Sequence, residues 1–105
     1  LGLKPVDERC SIEVTGGLDR PPMERTAGVR KLFEIARGAA KELGVHLEES
    51  ATGGGSDGNF TAAMGVPTLD GLGAVGEGAH APNESILTHR IPDRVALLAK
   101  LIAAI

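Results

Sequence analysis

A chain of 105 residues with 42% apolar content has room for one modest core and not for two domains. A net charge of −3, with two phenylalanines as the only aromatics, excludes the basic, stacking surface that nucleic acid requires. The longest apolar stretch, residues 95–105, is broken by Lys100 and is too short to cross a bilayer, so we expect no membrane partner.

In chain order, the first predicted element is a strand at residues 10–14, Cys-Ser-Ile-Glu-Val, read from its period-2 alternation. The chain begins Leu1-Gly2-Leu3-Lys4 without an initiator methionine, and a strand so early needs a neighbour. We therefore expect the first residues to be the tail of something longer. Gly16-Gly17 and Pro21-Pro22 then break the pattern and mark a hinge. From Thr26, a capping residue, to Leu43 the apolar positions Val29, Leu32, Phe33, Ala36, Ala40 and Leu43 recur at helical spacing, and Gly44 stands where a helix ends. Residues 45–48 alternate as a strand and lead into Thr52-Gly53-Gly54-Gly55-Ser56-Asp57-Gly58-Asn59-Phe60. Asp57 is placed to cap a short helix that Gly65 stops, and residues 66–69 read as another strand. Pro92 and Asp93 open a last helix whose Val95, Leu98, Leu101, Ile102 and Ile105 make a broad apolar face. Short strands alternating with helices predict an α/β layer structure, a partial sheet against two main helices.

Three places hold residues suited to chemistry. His80 lies in Gly76-Glu77-Gly78-Ala79-His80-Ala81-Pro82-Asn83-Glu84, among neighbours too small to account for it by packing. It reads either as a metal ligand presented from a loop or as a surface histidine bonded to backbone. The three glycines before Ser56 leave backbone groups bare to a ligand, and with the Ser56 hydroxyl they suit a carboxylate or carbonyl. Phosphate is the competing ligand, although the loop lacks the lysine and spacing of a Walker A motif. Arg20, on the Pro-Pro hinge, offers a bidentate fork to a carboxylate or is a solvated surface charge. Glu48 and Glu49 face opposite ways on a strand and form no acid–base pair. His46 and His89 receive no role, and Cys10 has no neighbour to activate it. A single cysteine forms no internal disulfide and suits a reducing cytoplasm.

The ordered set Gly-Gly-Leu-Asp-Arg-Pro-Pro, Glu-Glu-Ser-Ala-Thr-Gly-Gly-Gly-Ser-Asp-Gly-Asn-Phe, Gly-Val-Pro and Gly-Ala-His-Ala-Pro-Asn-Glu resembles the C-terminal third of the zinc-dependent carboxypeptidase, aminoacylase and desuccinylase family. The likeness runs over nearly the whole chain and is strongest to glutamate carboxypeptidases. It implies a metallopeptidase hydrolase with a catalytic α/β domain over two zinc ions, interrupted by a lid domain that dimerises. Residues 1–18 would be the last lid strand and hinge, and residues 19–105 the closing segment of the catalytic domain. His80 would be a zinc ligand. Arg20, Gly55, Ser56, Asp57 and Asn59 would bind a small-molecule N-acyl amino acid or peptide substrate through its carboxylate.

The family's other metal ligands and its general base have no counterpart here, so no catalytic residue is assigned. The resemblance implies a fragment of a longer hydrolase, inactive alone and partnered by the upstream remainder of the same protein and a second copy. The alternative is a truncated, non-catalytic carboxylate-binding or scaffold domain.

Overall fold

The computed structural model describes residues 2–105. Its longest element is α1, Ala27–Glu42, and both of its ends follow from local sequence. The Thr26 hydroxyl accepts a hydrogen bond from the Val29 N–H at 3.3 Å, satisfying one of the donors that a helix start leaves open. At the other end Gly44, with φ +67°, turns the chain out of the helix. The Gly44 N–H donates to the Lys41 carbonyl at 3.1 Å and the Val45 N–H to the Ala40 carbonyl at 2.9 Å. These two bonds are the Schellman pattern, and Val45 completes it by packing onto the core beside Ala40.

A six-residue helix, α2, spans Gly58–Ala63. It ends by the same two-bond device, from Gly65 to Ala62 and from Val66 to Thr61. A two-stranded antiparallel ribbon follows, β1 (Gly76–Glu77) with β2 (Ser85–Ile86), in the register Gly76 to Ile86 and Glu77 to Ser85. After a 3-10 turn at Thr88–Arg90 comes α3, Ile91–Ala104, with Pro92 in its first turn as expected.

The expected mixed fold is therefore present, with two main helices and a small sheet, but the strands are not where alternation put them. Residues 10–14, 45–48 and 66–69 are in no ladder. A strand is stabilised by its neighbours, and none of the described residues pairs with these three by backbone ladder bonds. The ribbon forms instead where a tight loop returns the chain on itself.

The core lies between α1 and α3, where Ala36, Ala39 and Ala40 meet Leu97 and Leu101. The alanines let the helices approach closely, and Leu97 fills the gap with no surface left exposed. Lys100 joins Glu42 across the same pair at 2.6 Å, and Arg94 holds the Gly71 and Gly73 carbonyls at 2.8 Å. The broad apolar face expected of α3 splits in two. Of its members Leu101 turns to α1 while Val95, Ile102 and Ile105 remain exposed, and the residue most deeply buried is Leu97, which the expected face left out. The whole is a thin plate, 63 × 35 × 17 Å, with a Cα radius of gyration of 19.2 Å. A compact chain of this length would have a radius near 13 Å, by roughly 2.2·N^0.38.

No helix among the described residues is long and apolar enough to cross a membrane.

Candidate carboxylate site

Residues 20–23 dock against the loop that opens α2. The Asn59 side-chain amide donates to the Pro21 carbonyl at 2.8 Å, tying the Pro21-Pro22 segment to one 38 residues away. Arg20 is thereby laid along the loop, its side chain one-third exposed. A Cβ on Gly55 would stand 2.9 Å from Arg20 Cδ, so only glycine leaves the arginine room to lie there. The guanidinium sits over the Phe60 ring, 4.8 Å from its centre, and Nη1 lies 3.7 Å from Asp57 Oδ1. Asp57 is fully exposed, so water screens this pair and it contributes little to stability.

The loop is fixed by its own side chains. Asp57, expected to cap α2, makes no capping hydrogen bond. Ser56 does so one residue earlier, its Oγ accepting from the Gly58 N–H at 3.1 Å. Asn59 Oδ1 returns the interaction by accepting from the Ser56 N–H at 2.8 Å. The two form a reciprocal box in which asparagine stands where glutamate or glutamine is usual. The loop thus spends several of its own N–H groups internally, and Gly54 also donates, to Thr52 Oγ1 at 3.3 Å.

Asp70 lies against this loop, and sequence reasoning gave no sign of it. The Ser56 hydroxyl, and then the Gly71 N–H at 2.7 Å, hold its carboxyl below the usual range. A carboxylate whose pKa falls on folding stabilises the fold above its ordinary value, near 3.8, and that contribution is lost as pH drops through the lower folded value. We expect the Ser56 and Gly71 amide resonances to move together in acid, below about pH 4, and not to move in Asp70→Asn. An unchanged acid transition in that variant would remove Asp70 from the loop's support. Phe60 was also missed, although it is one of only two aromatics and directly follows the loop.

His80 lies elsewhere, in the loop joining β1 to β2. The Ala81 N–H donates to the Gly78 carbonyl at 2.8 Å, closing a turn with His80 at its third position. There His80 takes φ +66°, the only non-glycine described residue in the left-handed region. That conformation costs a side-chain-bearing residue on the order of 1 kcal/mol. The ring is exposed. Among the described residues no hydrogen bond or ion pair joins it to Arg20 or the glycine loop. Nor do three His, Cys, Asp or Glu side chains converge anywhere among them in a way that would hold a metal ion. The structure thus brings Arg20, Gly55, Ser56, Asp57 and Asn59 into one cluster and leaves His80 on a separate hairpin.

Glu49 chelates the Arg25 guanidinium at 2.6 and 2.8 Å, while Glu48 meets His46 at 2.8 Å. The two neighbouring glutamates therefore serve different partners.

The sequence from residue 3 to residue 104 matches the model of peptidase family M20/M25/M40, and the chain belongs to that family of zinc metallopeptidases, as its motif order implied. A curated relative is carboxypeptidase G2 of Pseudomonas sp. (strain RS-16), 36% identical over 85 residues. The match covers 79% of this chain and 20% of the length of that protein. No solved structure matches the chain.

Proposed function

We propose that this chain is the C-terminal segment of a zinc-dependent hydrolase cleaving the amide bond of N-acyl amino acids or small peptides with a free carboxylate. The observation behind this reading is the docking of Arg20 on the Gly55–Phe60 loop, 38 residues away through Asn59 and Pro21. A guanidinium held against a stiff loop keeps its planar fork oriented for a carboxylate, so less side-chain entropy is lost on binding. Gly55 gives the fork room, Ser56 and Asn59 hold the loop's shape, and Asp57 flanks the arginine. Residues 1–18 belong to a lid and dimerisation domain, and residues 19–105 to the catalytic domain. The parent works as a homodimer in the cytoplasm, which suits the single exposed Cys10.

His80 is the residue proposed to donate to zinc. One imidazole does not make a zinc site, which takes three or four donors, so the residues present do not fit a metal by themselves. When bound in such enzymes, zinc polarises the scissile carbonyl and lowers the pKa of a water. The other donors and the general base come from the remainder of the parent, and no step of hydrolysis is assigned to these 105 residues.

The test is a calorimetric titration of the chain with N-acetyl-L-glutamate, beside Arg20→Ala. Loss of a charge-assisted pair is expected to weaken binding by about 2–3 kcal/mol, roughly thirtyfold or more. Equal affinities would return Arg20 to the solvated surface. A zinc titration of the same chain is expected to be weak, diminished further by His80→Ala, and unaccompanied by turnover. Tight stoichiometric zinc with turnover would overturn the incomplete-site part of the reading.

A further inference from the structure

We propose that Phe60 is a positioning residue for Arg20, acting through a cation–π contact that fixes which edge of the guanidinium is offered to the carboxylate. The inference rests on the carboxylate reading of Arg20 and adds the residue that makes the arginine selective.

Four observations meet here. The Arg20 guanidinium carbon stands 4.8 Å from the Phe60 ring centre, inside the range in which a ring face attracts a cation. Asp57 lies 3.7 Å from Nη1, at one tip of the fork. Gly55 passes beneath the arginine stem, where any Cβ would push Cδ aside. Asn59, one residue before Phe60, bonds the Pro21 carbonyl, so the segment carrying the ring and the segment carrying the arginine move as one.

A guanidinium has two faces and one planar rim of donors. With the ring over the cation and the Asp57 carboxylate 3.7 Å from Nη1 disfavouring a second anion at that tip, the edge best offered to a ligand is that of Nε and Nη2, whose N–H bonds point in parallel and match the two oxygens of a carboxylate. An exposed arginine without the ring would sample many rotamers and lose that entropy on binding. The ring also keeps water from one face of the cation, which strengthens its hydrogen bonds at the rim. Phe60 is itself part-exposed, as a platform beneath a surface cation must be, and α2 holds it by backbone bonds at both ends of the helix.

The experiment compares the chain with Phe60→Leu, Phe60→Tyr and Arg20→Ala, using N-acetyl-L-glutamate as the probe. Two readouts are taken: the dissociation constant, and the shift and heteronuclear NOE of the Arg20 Nε–H signal without ligand. In the parent chain that signal should be ordered and displaced by the ring current. Phe60→Leu should return it to the position and mobility of a free arginine and weaken binding about threefold, the expected worth of an exposed cation–π contact. Phe60→Tyr, which keeps the ring face, should restore both. The Ser56 and Asn59 amide signals should stay in place throughout, showing that α2 remains folded. An Arg20 signal equally ordered in Phe60→Leu, or equally mobile in the parent, would overturn the inference whatever the ligand does. If Phe60→Leu weakens binding and Phe60→Tyr does not restore it, the leucine effect is one of packing and the inference also fails. Unaltered binding in Arg20→Ala would instead refute the carboxylate reading, so the two failures are told apart.

Discussion

Gly76→Ala is expected to open the β1–β2 ribbon and release the loop that presents His80. A Cβ at this position would overlap the carbonyl oxygen of Ser85, a backbone atom of the paired strand that has no side-chain freedom to yield. The ribbon has only two residues in each strand, and isolated ribbons are marginal in water even when longer. There is accordingly no reserve with which to absorb the clash, and the change should be close to all-or-none. Val75 should lose the hydrogen bond from the Leu87 N–H, 2.8 Å in the native fold, and His80 should relax from φ +66°. Amide exchange of Leu87 and the chemical shifts of residues 77–85 would report both. Gly73→Ala is the control, since a Cβ there meets open space. If Gly76→Ala retained a protected Leu87 amide, the ribbon would not have the register described. Helices α1 and α3 should survive in both variants, because no part of their contact runs through the ribbon.

Leu97→Ala should have the opposite pattern, loosening the helix pair and sparing the ribbon. Leu97 is fully buried, against alanines that have no side chain long enough to fill the space it would leave. Removing such a leucine costs about 2–5 kcal/mol, the upper part of that range where the surroundings cannot collapse. The core it anchors consists otherwise of Ala36, Ala39, Ala40 and Leu101, with Val45 and Leu47 beside it, so a loss of that size is a large fraction of what holds α1 to α3. Urea unfolding followed by far-ultraviolet circular dichroism measures it. Ile102→Ala, five residues along the same helix and 72% exposed, should shift the midpoint by no more than about 0.5 kcal/mol. Similar shifts in the two variants would mean that α3 is rotated from the position described.

The expected face of α3 included Ile102, which is exposed, and left out Leu97, which is buried, and this shows where sequence reasoning loses its hold on this protein. The apolar pattern of α3 is wide enough to serve two faces, and periodicity states how wide a face is without naming its partner. The strands failed for a related reason. Alternation at residues 10–14, 45–48 and 66–69 marks segments suited to a sheet, while a ladder needs a second segment in register. The ribbon that does form has glycine, glutamate, serine and isoleucine in it, a set with no strand signature. It owes its existence to the turns at 78–81 and 81–84 that fold the chain back.

Within the site, Gly55, Ser56, Asp57 and Asn59 were readable as one loop because they adjoin in sequence. Asp57 had the right chemistry for a cap and stands at the N-cap position, but its side chain makes no capping bond and Ser56 took the task with Asn59. Arg20 was readable as a candidate from its Pro-Pro flank and from the family likeness. Phe60 beneath it and Asp70 beside Ser56 were not, since each depends on a contact between segments distant in the chain.

The sequence by itself determined both ends of α1, the close of α2 and the start of α3, because Thr26, Gly44, Gly65 and Pro92 act on bonds within four or five residues. It also determined the family, through the order of its motifs. The tertiary structure alone decided which face of α3 is covered, where strands find partners, and that Arg20 rests on Phe60 against Gly55 while His80 stands apart. Those outcomes are set by packing and pairing between residues tens of positions apart, and no local pattern encodes which distant atom will be there.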